Sequence, residues 1–421
     1  MELNEAPRRG SRGRAVRGLL VDVSAFTAER DFRLLWSGQI TSELGRQMIA
    51  IAMPYQVYLA TGSTLAVGLL SLVQVAALLG LSLPGGALAD TLDRRRLLAW
   101  GQIAQVLFCG LLIASALIPQ TPIWSVYVAA FLLASASAFT RPAQKSSLVA
   151  VVSRERLRSA VALDQLGGQL AAVGGPAIGG VVIAVLGLPA AFVLAAVGLG
   201  SLAFAALALA PGRLPRGSSP GGVQAIREGV GYVRRTPTIL STMVMDFGAM
   251  LFGFPVALFP ALALTVFGVG AAGLGALVSS IAAGAVIASV LSGRLSAMRR
   301  KGLGVAALFL IWGAAITLFG LVTFSFPLAL VFLAIAGAAD IGAAVLRASI
   351  VQTTIPDEMR GRVSSINSLI ATAGPRLGDV EATAVAAVTS VQLSVVSGGV
   401  LCMLATLIVA WRYPQLIRYR D

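Results

Sequence analysis

The sequence predicts an all-α membrane protein: twelve transmembrane helices in two pseudo-symmetric six-helix bundles. Three observations carry this. Apolar residues make up 57% of the chain and charged residues 12%, with a mean hydropathy of +0.87, far from the balance of a soluble domain. The apolar residues gather into long stretches, each at or slightly above the ~17 to 25 residues that a helix needs to cross hydrocarbon. Finally, Lys and Arg occupy alternate connections between those stretches, and the intervening connections carry none.

Taken in order, the stretches run 32–60, 64–86, 97–118, 122–148, 164–186, 189–211, 238–266, 272–295, 303–325, 327–350, 364–388 and 393–412. The basic connections hold Arg94, Arg95 and Arg96; Arg154, Arg156 and Arg158; Arg213, Arg216, Arg234 and Arg235; Arg299, Arg300 and Lys301; and Arg360 and Arg362. The bare ones begin at Pro119, Leu186, Val266, Thr323 and Thr389. Short cytoplasmic loops retain Lys and Arg, so the basic set and both termini are expected in the cytoplasm, with the protein in the plasma (inner) membrane.

A net charge of +14 does not mark a nucleic-acid binder here, because the arginines are scattered over alternate flanks where they meet anionic lipid. Residues 1–31 carry Arg8, Arg9, Arg12, Arg14 and Arg17 without an early apolar core, which predicts a cytoplasmic tail rather than a cleaved leader. Cys109 and Cys402 lie inside apolar spans, so neither a disulfide nor a cysteine metal site is expected. The chain has no histidine, which excludes an imidazole proton relay. No metal or cofactor is expected.

The stretch from Arg213 to Arg235 is the longest polar connection and divides the spans six and six. The expected organisation is an N-terminal tail (1–31), a first bundle (32–211), a cytoplasmic central loop with a short amphipathic surface helix (212–237), a second bundle (238–413) and a C-terminal tail (414–421). A weak repeat crosses the divide. Pro54 corresponds to Pro260, Arg141 to Arg347, Gly86 to Gly293 and Leu88 to Leu295. In span five, Gly175, Pro176 and Gly179 (followed by Gly180) recur in span eleven as Gly374, Pro375 and Gly378. Duplication of a six-helix unit is the economical explanation. Proline removes a helical hydrogen bond and glycine permits close approach, so spans five and eleven are expected to bend and pack tightly.

Ionisable residues within the spans are few, and a charge facing lipid at mid-bilayer costs about 2.5 to 3.5 kcal/mol, so these side chains should face protein or water. The candidates among them are Glu43 and Arg46 in span one, Asp246 in span seven, Asp340 and Arg347 in span ten, and Arg376, Asp379 and Glu381 in span eleven. Spans one, seven, ten and eleven are therefore the expected walls of a polar cavity. Glu43 with Arg46, and Arg376 with Asp379, stand three apart and either neutralise each other or serve the cavity. Asp246, Asp340 and Glu381 lack such a partner in their own span, and are the leading candidates to carry a proton, with Glu43 and Asp379 behind them. Arg46, Arg376, Gln47, Met250, Phe252 and Phe254 are candidates for the substrate cavity. The acids would suit a cation and the arginines an anion such as a catecholate, and the spans alone permit either.

No GxxxxGK[ST] loop, HExxH pair or GxSxG elbow is present, so neither Walker-type ATP use nor membrane-embedded catalysis is expected. An ion gradient remains as the energy source.

After span two, the run Gly86-Ala87-Leu88-Ala89-Asp90-Thr91-Leu92-Asp93-Arg94-Arg95-Arg96 resembles the loop signature of the major facilitator superfamily. The segments beginning at Phe32, Ala52, Phe139, Gly175 and Gln352 are similar to the enterobactin exporter and drug efflux branch, and the likeness covers about residues 32–413. The resemblance implies the major facilitator fold and alternating access between two halves, and, in this branch, export by proton antiport. It also implies that Gly86, Asp90, Arg94 and Arg95 form a cytoplasmic gate loop. Thr91 and Asp93 depart from that loop pattern, and Arg46 stands where the branch often has an acid.

The expected function is thus that of a secondary active exporter, and not of an enzyme: it moves amphipathic drugs, antibiotics or siderophores in exchange for protons, as a monomer in the bilayer. A nutrient importer of the same fold and a non-transporting receptor or scaffold are the alternatives.

Overall fold

The computed structural model describes residues 24–91, 93–118, 121–209 and 223–419; the side chains at 82–91, 142, 145, 146, 149, 223–226 and 357 lie outside that description. The described residues are built from long helices. The first four are α1 (Arg30–Thr61), α2 (Thr64–Thr91), α3 (Arg94–Leu117) and α4 (Trp124–Ala150). A continuous segment, Leu157–Ala208, follows as two arms, α5 (157–186) and α6 (188–208), which meet at Gly187. After the connecting helix Val223–Arg235 come α7 (Pro237–Phe252), α8 (Gly270–Val290), α9 (Lys301–Leu321), α10 (Phe326–Thr354), α11 (Asp357–Val388) and α12 (Val391–Arg412). Among the described residues, eight helical segments are long and apolar enough to cross a membrane, the α5–α6 segment counting as one of them.

The α5–α6 segment is a hairpin because Gly187 adopts φ 83° and ψ 173°, a left-handed conformation that a side chain would resist. Its two arms run back along α1 in opposite directions. On α5, Gly167 packs against Ile40 and Gly179 against Met48 and Ile51; on α6, Gly45 of α1 meets Ala195 and Gly38 meets Leu202. The second half repeats the arrangement, with α7 between α11 and α12: Gly374 and Gly378 lie on Met250 and Leu251, while Gly398 lies on Phe252. Lipid provides no hydrophobic drive for helices to associate, so close backbone contact through small residues carries the packing. The backbone stays helical through Pro176 and Pro375, so the glycine–proline motifs act here through proximity, without a break.

The break falls in span seven, where the sequence suggested a continuous helix. α7 ends at Gly253, and the chain continues through a 3-10 turn (Val256–Leu258), a short α-turn (Phe259–Ala261) and a π-turn (Leu262–Val266). Pro255 and Pro260 each lack the N–H that a regular helix requires. The Gly253 carbonyl is satisfied from outside, accepting from Trp312 Nε1 at 2.9 Å.

Contacts between the first and second halves join α5 to α8 and α2 to α11. Gly180 and Gly275 approach so closely that a Cβ on either would collide with backbone. Ser279 Oγ donates to the Val173 carbonyl at 2.7 Å. Gly68 sits against Thr383, and Ser71 Oγ donates to Asp379 at 2.8 Å. These residues lie toward the ends of α2, α5, α8 and α11 that join the arginine-free connections, so the two halves are closed together at that end.

Candidate functional site

Between the halves lies a cavity of about 410 Å³. Its wall comes from α1, α2, α3, α4, the break after α7, α8 and α11, and it is rich in charge: Glu43, Arg46, Arg141, Arg376 and Asp379 all line it. Gln47, Gln74, Gln105 and Ser137 add neutral polar groups, and Pro54 and its repeat partner Pro260 both reach it. Helix α10 contributes nothing to this wall, contrary to expectation. Its charged residues turn to α7 instead.

On α1, Glu43 accepts from Arg46 Nε at 2.9 Å, from Arg46 Nη2 at 2.7 Å and from Gln47 Nε2 at 3.1 Å. Arg46 also donates to Ser42 Oγ at 2.9 Å. One helix face thus holds a neutralised pair, as the three-residue spacing allows. Opposite it, Arg141 of α4 interacts electrostatically with Glu43, Arg46 and Arg376, and forms no salt bridge among the described residues. Sequence reasoning noted Arg141 only as the counterpart of Arg347, although a cation inside the apolar stretch 122–148 was the signal that could have found it.

Asp379 does not take Arg376 as its hydrogen-bond partner. Its Oδ2 accepts from Ser71 Oγ at 2.8 Å and its Oδ1 from the Ala257 backbone N–H at 2.9 Å. This carboxylate therefore ties α11 to α2 and to the break after α7. Arg376 stays in the cavity wall.

The remaining acids lie off the cavity. Asp246, 2% exposed, forms a salt bridge with Arg347 of α10, a partner its own helix could not reveal. Asp340 stands near the same pair, beside a separate void of about 10 Å³ bounded by Phe254, Trp312 and Gly337. Glu381 is half-buried on α11 and is absent from both walls. Of the apolar candidates, Phe254 faces the cavity, whereas Met250 is buried against Gly374 and Phe252 packs into the core.

In the proposed gate loop, Gly86 and Asp90 fall near the end of α2 and their side chains lie outside the described residues. Arg94 begins α3, and Arg95 donates to the carbonyls of Ala206 (3.1 Å) and Leu207 (2.5 Å) at the end of α6, where a cation offsets the helix dipole. Asp93 caps α3, accepting from the Arg95 and Arg96 backbone N–H groups at 2.8 and 3.4 Å.

The structure is similar to solved transporters. A POT family transporter in complex with 5-aminolevulinic acid gives a TM-score of 0.73 at 14% identity, covering 92% of this chain and 97% of that one. A bacterial homologue of the lysosomal transporter Spinster, inward-facing and unoccupied, gives 0.72 at 14% identity over 93% and 98%. In sequence, the enterobactin exporter EntS of Shigella dysenteriae serotype 1 (strain Sd197) is 28% identical over 351 residues, 82% of this chain and 83% of that protein. The family model described as transmembrane secretion effector matches residues 23–416. With a helical pair of repeated halves around a charged chamber and a family match over nearly its whole length, the chain belongs to the transmembrane secretion effector family of major facilitator transporters.

Proposed function

We propose that the protein exports anionic amphipathic small molecules, of the siderophore kind, by alternating access in exchange for protons. The observation that carries this reading is the sorting of charges. Arg141 and Arg376 stand in the cavity wall, Arg46 balances Glu43 there, and the acids that would have suited a cation are either withdrawn from the cavity or committed to other groups. A chamber of this size matches drug-sized ligands. Guanidinium groups also suit planar, oxygen-rich anions, because they present paired donors.

The contacts that close the halves together lie at the arginine-free end, and the basic connections support a cytoplasmic position for the opposite end, which we take as the side from which substrate enters. Energetics favour this direction for an anion. Each negative charge leaving a cell that is negative inside by 100 mV gains about 2.3 kcal/mol, and one proton entering gains the same. Export in exchange for a proton therefore draws on the potential twice. EntS, the relative, is named for enterobactin, and that compound is the first probe to try.

The test is transport by purified protein in vesicles under an imposed pH gradient, with enterobactin and the cation ethidium as alternative probes. The reading predicts gradient-driven accumulation of enterobactin and little of ethidium. Accumulation of ethidium alone would overturn the charge preference, and enterobactin movement indifferent to the gradient would overturn proton exchange.

A further inference from the structure

The charges withdrawn from the cavity form a cluster that the substrate site leaves unused. Two aspartates share one guanidinium: Arg347 bridges to Asp246, and the charged groups facing Asp340 among the described residues are that same Arg347 and Asp246. Such a cluster carries a net charge of −1, and burying it without compensation is costly. Asp246 Oδ1 and Arg347 Nε are buried with no hydrogen-bond partner among the described residues. The Phe309 ring lies against Arg347, 5.4 Å from the guanidinium carbon to the ring centroid, and stacks on Trp312, so the pair is shielded by aromatic rings.

A thin partition separates this cluster from the central cavity. Phe254 and Val256 border both the cavity and the small void at Asp340. Both belong to the break after α7. That break is pinned at each side: Trp312 Nε1 holds the Gly253 carbonyl, and Asp379 holds the Ala257 N–H. Phe254 also packs edge-on to Trp312, with ring centroids 6.2 Å apart. Because Asp379 is bonded to Ser71 of α2 as well, closing or parting α2 and α11 pulls on the same segment that covers Asp340.

We infer that Asp340, beside the Arg347–Asp246 pair, is the proton-carrying group, and that Phe254 in the α7 break is the door between it and the cavity. When the halves part at the arginine-free end, the Ser71–Asp379 bond breaks, the break relaxes and Asp340 meets water. A proton then forms an O–H bond on an Asp340 carboxylate oxygen and brings the cluster to zero charge. In the form described here the O–H bond breaks, the proton leaves toward the arginine-bearing end, and the charge of −1 returns. This rests on the proton exchange proposed above. It assigns the exchange to a site distinct from the one that binds substrate.

The experiment uses the full chain in vesicles, with enterobactin under a pH gradient, and infrared spectroscopy of the same preparations for the carboxylic-acid band. Asp340→Asn is expected to lower the accumulation ratio from tens-fold to about one while retaining enterobactin exchange without a gradient, and to remove a titrating carboxylic-acid band that Glu381→Gln keeps. Phe254→Ala is expected to pass protons into pyranine-loaded vesicles without enterobactin, which the unsubstituted protein does not. Full gradient-driven accumulation by Asp340→Asn, persistence of its carboxylic-acid band, or a tight Phe254→Ala would overturn the assignment. Indifference of the unsubstituted protein to the gradient would instead remove the proton exchange on which it rests.

Discussion

Replacing Ser71 by alanine removes one hydrogen bond at the junction between the halves and leaves the surrounding packing nearly unchanged. Ser71 and Asp379 are 6% and 8% exposed, and their bond spans 2.8 Å from α2 to α11. A buried hydrogen bond to an ionised group contributes about 1.5 to 3 kcal/mol. Since 1.4 kcal/mol is tenfold in an equilibrium constant, its loss shifts the balance away from the form closed at the arginine-free end by roughly 10- to 150-fold. Spin labels at Ser153 and Ser296, exposed positions at the arginine-bearing ends of the two halves, report that balance as a distance distribution. The native cysteines, Cys109 and Cys402, are free but fully buried, so background labelling is low. Ser71→Ala is expected to raise the population of shorter distances. A distribution unchanged from the parent would show that this bond does not hold the halves together, and would remove the mechanical link from Asp379 to the α7 break.

Close glycine contacts predict a contrast in stability. A Cβ at Gly284 would lie 1.8 Å from the Ala334 carbonyl oxygen, so Gly284→Ala must push α8 from α10, at a cost of about 1 to 3 kcal/mol or more, whereas Gly293→Ala meets nothing within 4 Å; thermal unfolding in detergent should lower only the first, and equal melting temperatures would contradict the packing. Arg46→Gln removes both guanidinium bonds to Glu43 and leaves that carboxylate on the cavity wall with Gln47 alone. Enterobactin transport should fall about tenfold and ethidium transport rise, on the ~1.5 kcal/mol scale of a charge-assisted bond; an unchanged ratio of the two would separate this pair from selectivity. Gly187→Ala forces a side chain into the left-handed turn between α5 and α6, costing about 1 kcal/mol or more, and unaltered unfolding would show that the turn relaxes freely.

Much of the architecture was legible because membrane helices advertise themselves through length and apolar content, and their ends through arginine. The repeat was legible too, and the wall positions of Pro54 and Pro260 show it in space. Partners across helices were not. A reading along one helix finds Glu43 with Arg46 because they share a face, but it assigns Arg376 to Asp379 on the same grounds and misses that Asp379 is taken by Ser71 and Ala257, which come from distant parts of the chain. For the same reason Asp246 looked unpartnered, since Arg347 is a residue of another helix. The break in span seven had local signals in Gly253, Pro255 and Pro260, but apolar continuity outweighed them. Helix rotation decides which residues reach the cavity, and composition alone does not reveal it; Arg141 enters the wall and Met250 leaves it for that reason.

Equilibrium binding of enterobactin by the purified full chain carrying Arg141→Gln and Arg376→Gln together, with thermal unfolding as the check on folding, tests the charged cavity as the substrate site. The expected result is a loss of affinity of at least tenfold with the melting temperature retained, as two charged donors leave a chamber that remains intact. Unchanged affinity in a folded double variant would place the substrate elsewhere and contradict the charged cavity as its site.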